Sequence, residues 1–137
     1  MVRPLDRWGV ASIGGAFFLW LGITIGHAEV PWKLDERTAQ RLAAEAYGHG
    51  KDPKWFDPDP GMGRPFFVFY GLNPSDGGFG FFAVNPWTGD VWALWGCRKL
   101  STAALRRSLA EIRRRFSAAE LREYQRLARR KPECITD

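Results

Sequence analysis

The chain is poor in histidine and in sulfur. Its 137 residues include two histidines, two cysteines and two methionines. His27 falls in an N-terminal stretch that reads as an export signal, so His49 is the one histidine of the mature chain. One histidine cannot build a multi-histidine metal site. Cys97 and Cys134 have no CxxC or CxxH neighbour, so neither zinc nor thioredoxin-type chemistry is supported. No GxSxG, GxGxxG or P-loop signature is present, which removes the nucleophile elbow and the two common phosphate cradles. Asp52, Asp57 and Asp59 share a turn-rich stretch without the twelve-residue pattern closed by Glu that a calcium loop needs. They read as solvated turn carboxylates. This inventory nominates no catalytic residue, metal ligand or cofactor, and the chain is read as non-enzymatic. A carboxylate-based hydrolase would need a cleft with a perturbed Asp or Glu, which only structure can show. The length also excludes a two-domain enzyme and a doubly wound nucleotide-binding sheet.

The N-terminus carries an address. Arg3 and Arg7 form a basic start, residues 8–26 are uncharged, and Gly26-His27-Ala28 supplies small residues where a signal peptidase cuts. Residues 1–28 are therefore expected to be a cleaved signal peptide. The alternative is an N-terminal membrane anchor, because residues 8–26 are about long enough to cross a bilayer. Either reading places residues 29–137 outside the cytoplasm as one domain, periplasmic or secreted, or tethered to the membrane. The even cysteine pair suits that compartment, and a Cys97–Cys134 disulfide is expected, with two unrelated thiols as the alternative.

The mature chain reads as α+β. Ala39, Leu42, Ala43 and Ala46 recur at helical spacing after a candidate cap at Asp35, giving a helix over 35–47. Gly and Pro punctuate 48–65, which reads as a long loop. Three aromatic runs follow, at 66–70, 79–84 and 91–95, separated by short turns rich in Asn, Pro and Gly. They imply a three-stranded antiparallel meander. Each strand is apolar on both sides, so both faces of the sheet need cover from helices, a partner chain or a ligand. Two basic helices complete the chain. Ser101 or Thr102 caps the first, whose stripe is Leu105, Leu109, Ile112 and Phe116. Ser117 and Glu120 form a capping box for the second, with Leu121, Tyr124 and Ala128 inward and Pro132 ending it.

Charge and aromatic rings supply the candidate contacts. Residues 98–131 contain 12 Lys or Arg and 3 Glu, a net of +9. The whole chain is +5, so the remainder sums to −4. The basic helices are either a solvated face or a surface for anions. Behind a signal peptide those anions are lipid head groups, cell-wall polymers or an acidic protein rather than nucleic acid. Trp87 sits in mid-turn, where a large ring is hard to bury, while Trp92 and Trp95 fall on opposite faces of the third strand. Trp87 and Trp92 are nominated as partner contacts, with Arg106, Arg113 and Arg114 steering an acidic partner. A homodimer through the sheet would also cover its second face.

The order helix, loop, aromatic hairpin, followed by Val84-Asn85-Pro86-Trp87-Thr88-Gly89-Asp90-Val91, resembles the PepSY domain. Asn85, Thr88, Gly89 and Val91 occupy the places of that family's typical hairpin, and the likeness covers roughly residues 35–96. The chain departs from it in its aromatic load and in the two basic helices after the sheet. The resemblance implies an Ala-rich helix packed on antiparallel strands in an exported module that binds or inhibits peptidases, with no catalytic residues to carry over. The expected function is an exported binding or inhibitory module of the bacterial envelope that recognises a protein or peptide. The alternative is a structural envelope protein held to anionic lipid or wall polymer by its Arg-rich helices.

Overall fold

The computed structural model describes residues 31–48, 52–75 and 77–135. The signal or anchor expected at 1–28, the apolar run at 8–26 and His49 lie outside them. Among the described residues no helix is long and apolar enough to cross a membrane.

The chain forms an α+β fold with all strands antiparallel and neighbouring in sequence order. Helix α1 spans Glu36–Tyr47. Asp35 accepts the Thr38 amide at 2.7 Å as its cap, and Gly48 ends it at φ 81°. The strands are β1 (Phe56–Pro58), β2 (Phe67–Asn73), β3 (Gly77–Val84), β4 (Val91–Ala93) and β5 (Arg98–Lys99). Helices α2 (Ala103–Arg114) and α3 (Ala118–Ala128) follow.

The expected three-stranded meander is thus a five-stranded one, extended by a short strand at each edge. Proline hides β1, because Pro58 looks like a loop residue but is tolerated on an edge strand. Brevity and charge hide β5, which is two exposed basic residues paired with Trp92 and Ala93. The loop expected over 48–65 therefore holds, among the described residues, a 3₁₀ turn at Pro53–Trp55 and then β1.

Both faces of the sheet are covered, mainly by the chain's own segments. On one face Phe56, Phe69, Phe82, Val84 and Val91 pack against the alanine side of α1 and against Leu105, Ile112 and Phe116. Thr102 joins the two helices. Its Oγ1 accepts the Leu105 amide as the α2 cap and donates to the Glu45 carbonyl at 2.7 Å. On the other face Phe66, Val68, Ala83, Trp92 and Leu94 form a smaller core, closed by Met62 from the loop before β2 and by Ile135 from the C-terminal tail.

The tail is held twice. The Ile135 amide donates to the Leu94 carbonyl at 3.2 Å, and Cys134 is disulfide-bonded to Cys97 with Cα atoms 5.4 Å apart. The pairing read from the sequence is the one observed.

Helix α3 begins with the expected capping box between Ser117 and Glu120. Lys33 pairs with Glu120 and the Ser117 amide donates to it at 2.8 Å, which holds its carboxyl down at about 2 against an ordinary 4.5. A depressed carboxyl stabilises the folded state above its unfolded pKa and loses that contribution as pH falls through the folded one. The wild-type thermal midpoint is therefore expected to fall between pH ~4.5 and ~2 more steeply than that of Glu120→Gln. Parallel curves for the two proteins would show that the pair carries no linkage.

Candidate binding cleft

The turn at 85–90 is the most enclosed part of the molecule. All six of its residues are buried. Asn85 accepts the amides of Trp87 and Thr88 at 2.9 and 3.1 Å and donates to the Leu127 carbonyl in α3 at 3.0 Å. The Pro86 carbonyl accepts the amides of Lys33 and Leu34. Thr88 donates to Asp90 at 2.9 Å, and Asp90 pairs with Lys99 at 2.9 Å. Gly89 has φ 77°, and a Cβ there would lie 2.8 Å from Leu109 and 3.0 Å from Leu42. The turn is a hub that binds α3 and the N-terminal lead to the sheet.

This corrects the expectation for Trp87. Its ring is 0% exposed, with the Arg130 guanidinium 4.6 Å from the ring centroid. A hairpin turn keeps a large ring exposed only if nothing packs over it, and here α3 and residues 31–34 do. Trp92 is also inside, 8% exposed in the second core, and its indole N–H has no hydrogen-bond partner among the described residues. Both rings are buried in the domain.

The three nominated arginines lie on α2. Arg106 donates to Ser101 at 3.2 Å, Arg113 stacks over Tyr124 at 5.1 Å, and Arg114 pairs with Glu111 at 2.6 Å.

The structure opens elsewhere. Strand β4 stops at Ala93 and Leu94 makes a last ladder bond to the Phe81 carbonyl at 2.9 Å, whereas β3 begins at Gly77. Residues 77–80 thus have no strand partner on the β4 side among the described residues. The register of β2 against β3 also shifts there, since Gly71 faces Gly80 but Leu72 faces Gly78. Phe79 is the extra residue of this bulge, and Gly80 takes φ 133°. The bulge re-aims Phe79. Strict alternation would set Phe79 beside Phe81, but its ring joins Phe82, Phe56 and Tyr47 on the helix face. Gly71 makes room for it, because a Cβ there would lie 2.3 Å from the Phe79 ring.

The place where β4 would have continued is an open cleft of about 680 Å³. Tyr47 and Phe79 line it from the helix face, Phe81 and Trp95 from the other, and Arg98 and Lys99 stand at its side. Trp95 is 54% exposed, with its ring centroid 6.0 Å from that of Phe81. Lys99 is held by Asp90, while Arg98 has no ion-pair partner among the described residues. A smaller hollow of about 190 Å³ lies beside the exposed Trp32, over Met62, Phe66 and Phe67.

Trp95, in the third aromatic run, and Arg98, in the basic stretch, are not among the contacts nominated from the sequence. The available signal was Gly96-Cys97, a break straight after an aromatic run, which shortens the strand and leaves the preceding ring exposed. No group of three or more His, Cys, Asp or Glu gathers among the described residues. No protein-family model, curated protein or solved structure matches the chain.

Proposed function

We propose that the protein is an exported, non-enzymatic binding module of the bacterial envelope whose cleft takes an apolar segment of a partner protein or peptide beside an acidic group. The cleft between β3 and β5 carries this reading. Its volume lies in the range of ligand sites, roughly 300–1,000 Å³. Aromatic rings line part of it beside charged and polar groups, and a ring exposed as Trp95 is gains most from a partner that removes it from water. Arg98 supplies the positive charge that selects an acidic neighbour. The Cys97–Cys134 bond beside the cleft and the signal-like sequence at 1–28 support an exported address.

Side-chain insertion suits the cleft better than strand addition. Added strands need a regular run of backbone groups, and the bulge at Phe79 and Gly80 interrupts that edge. The PepSY resemblance bears on this reading only through its expected class of partner, a peptidase. The residues that carry it, Asn85, Thr88, Gly89 and Val91, all lie in the buried hub or its following strand.

The test uses the full oxidised chain and a displayed library of random linear dodecapeptides. Selected peptides are expected to combine aromatic or aliphatic residues with Asp or Glu. Their affinity is expected to fall at least about tenfold, or about 1.4 kcal/mol, in Trp95→Ala and in Arg98→Glu. No enrichment, or equal affinity for these variants and the wild type, would remove the cleft as the binding site.

A further inference from the structure

We infer that the Arg-rich outer face of α2 and α3 docks the domain on an anionic phospholipid bilayer. This surface is separate from the cleft, and the inference does not depend on it.

The arginines are regularly placed. Arg122 and Arg126 on α3 and Arg129 at its C-cap recur at i, i+4 and i+7, which is one helical face. On α2, Arg107 and Arg114 are seven apart, as are Arg106 and Arg113, and all four residues are exposed. Few of these charges are neutralised internally. Glu111 takes Arg114, Glu123 takes Arg126, and the remaining glutamate of this region, Glu120, is taken by Lys33 from outside it. Arg107, Arg115, Arg122 and Arg129 have no ion-pair partner among the described residues. Residues 100–131, which leave out Arg98 and Lys99 of the cleft, hold 10 Lys or Arg and 3 Glu, a net of +7 against −2 for the rest, and this lopsided charge orients the chain on a negative surface.

The path of the chain selects lipid among the polyanions. Lys33 pairs with Glu120 at the start of α3 and lies 5.4 Å over the Phe116 ring just past α2. The segment from Pro31 to Lys33 therefore joins the domain at the corner between the two basic helices. The uncharged run 8–26 ends five positions before Pro31, a reach of at most ~17 Å. A bilayer that holds this run lies within that reach of Pro31, beside the start of α3. Leu121, expected to face inward, is instead 38% exposed and adds an apolar side chain to the same helix, while Leu127 is the buried residue of α3. Lys and Arg near an anionic leaflet are drawn to it within about a Debye length, so the attraction is sensitive to salt.

The test is co-sedimentation of the full chain with vesicles of phosphatidylcholine alone or of phosphatidylcholine with one quarter phosphatidylglycerol. Binding is expected to be at least tenfold tighter to the anionic vesicles, and about 0.5 M salt should abolish the difference. The triple variant R107E/R122E/R129E should lose the anionic preference while binding neutral vesicles as the wild type does. Trp95→Ala should keep the preference, which separates this surface from the cleft. Equal wild-type binding to both vesicle types would overturn the inference, as would a preference that survives 0.5 M salt. Capture by heparin or duplex DNA without binding to anionic vesicles would also overturn it, in favour of a polymer. The salt response of the wild type decides the matter even if the triple variant fails to fold.

Discussion

Trp87→Ala is expected to destabilise the domain by about 3–5 kcal/mol. That is a large share of the ~5–15 kcal/mol that holds a domain of this size together. The ring is fully enclosed, and it sits in the turn that joins the sheet to α3 and to the N-terminal lead. Removing it leaves a cavity between those elements and strips the Arg130 guanidinium of the face it covers. Urea denaturation of wild type and variant measures the loss directly. Trp87→Phe, which keeps part of the volume, should lie between them. A Trp87→Ala midpoint within error of the wild type would mean that the ring is peripheral and that the hub is held by Asn85 alone.

Breaking the Cys97–Cys134 bond is expected to cost about 2–5 kcal/mol, since it closes a loop with a sequence separation of 37. The expected consequence goes beyond chain entropy. The bond fixes the tail whose Ile135 closes the second core over Leu94, and it fixes the turn that carries Trp95 and Arg98. The Cys97→Ser/Cys134→Ser double variant should therefore unfold at lower denaturant, and protease should trim its tail while the wild type is spared. Equal midpoints for oxidised and reduced wild type would show that the tail docks without the bond.

The sequence announces elements whose signals are local. Asp35 and Ser117 cap helices where their side chains reach amides three residues on, and an alanine stripe needs only close approach to a sheet. The aromatic runs name β2, β3 and β4, and the cysteine parity names the bond. What stays hidden depends on residues distant in the chain. Asn85-Pro86-Trp87-Thr88-Gly89-Asp90 has the composition of an exposed turn, and it is buried because α3 arrives some forty residues later to accept Asn85 at Leu127. The bulge at Phe79 cannot be read from the sequence, because residues 77–82 are all Phe or Gly and alternation has no polar residue to mark it. The cleft follows from that bulge and from the early end of β4. Its exposed ring, Trp95, therefore carries no local mark that distinguishes it from the buried Trp87 and Trp92.

Backbone amide NMR of the oxidised protein, titrated with a peptide selected from the displayed library, tests the binding-cleft reading most directly. Shifts confined to residues 46–47, 79–82 and 93–101 would place the peptide where β4 breaks off. Shifts centred on Trp32 and Met62, or on α2 and α3 with those three segments unmoved, would contradict the assignment of the cleft.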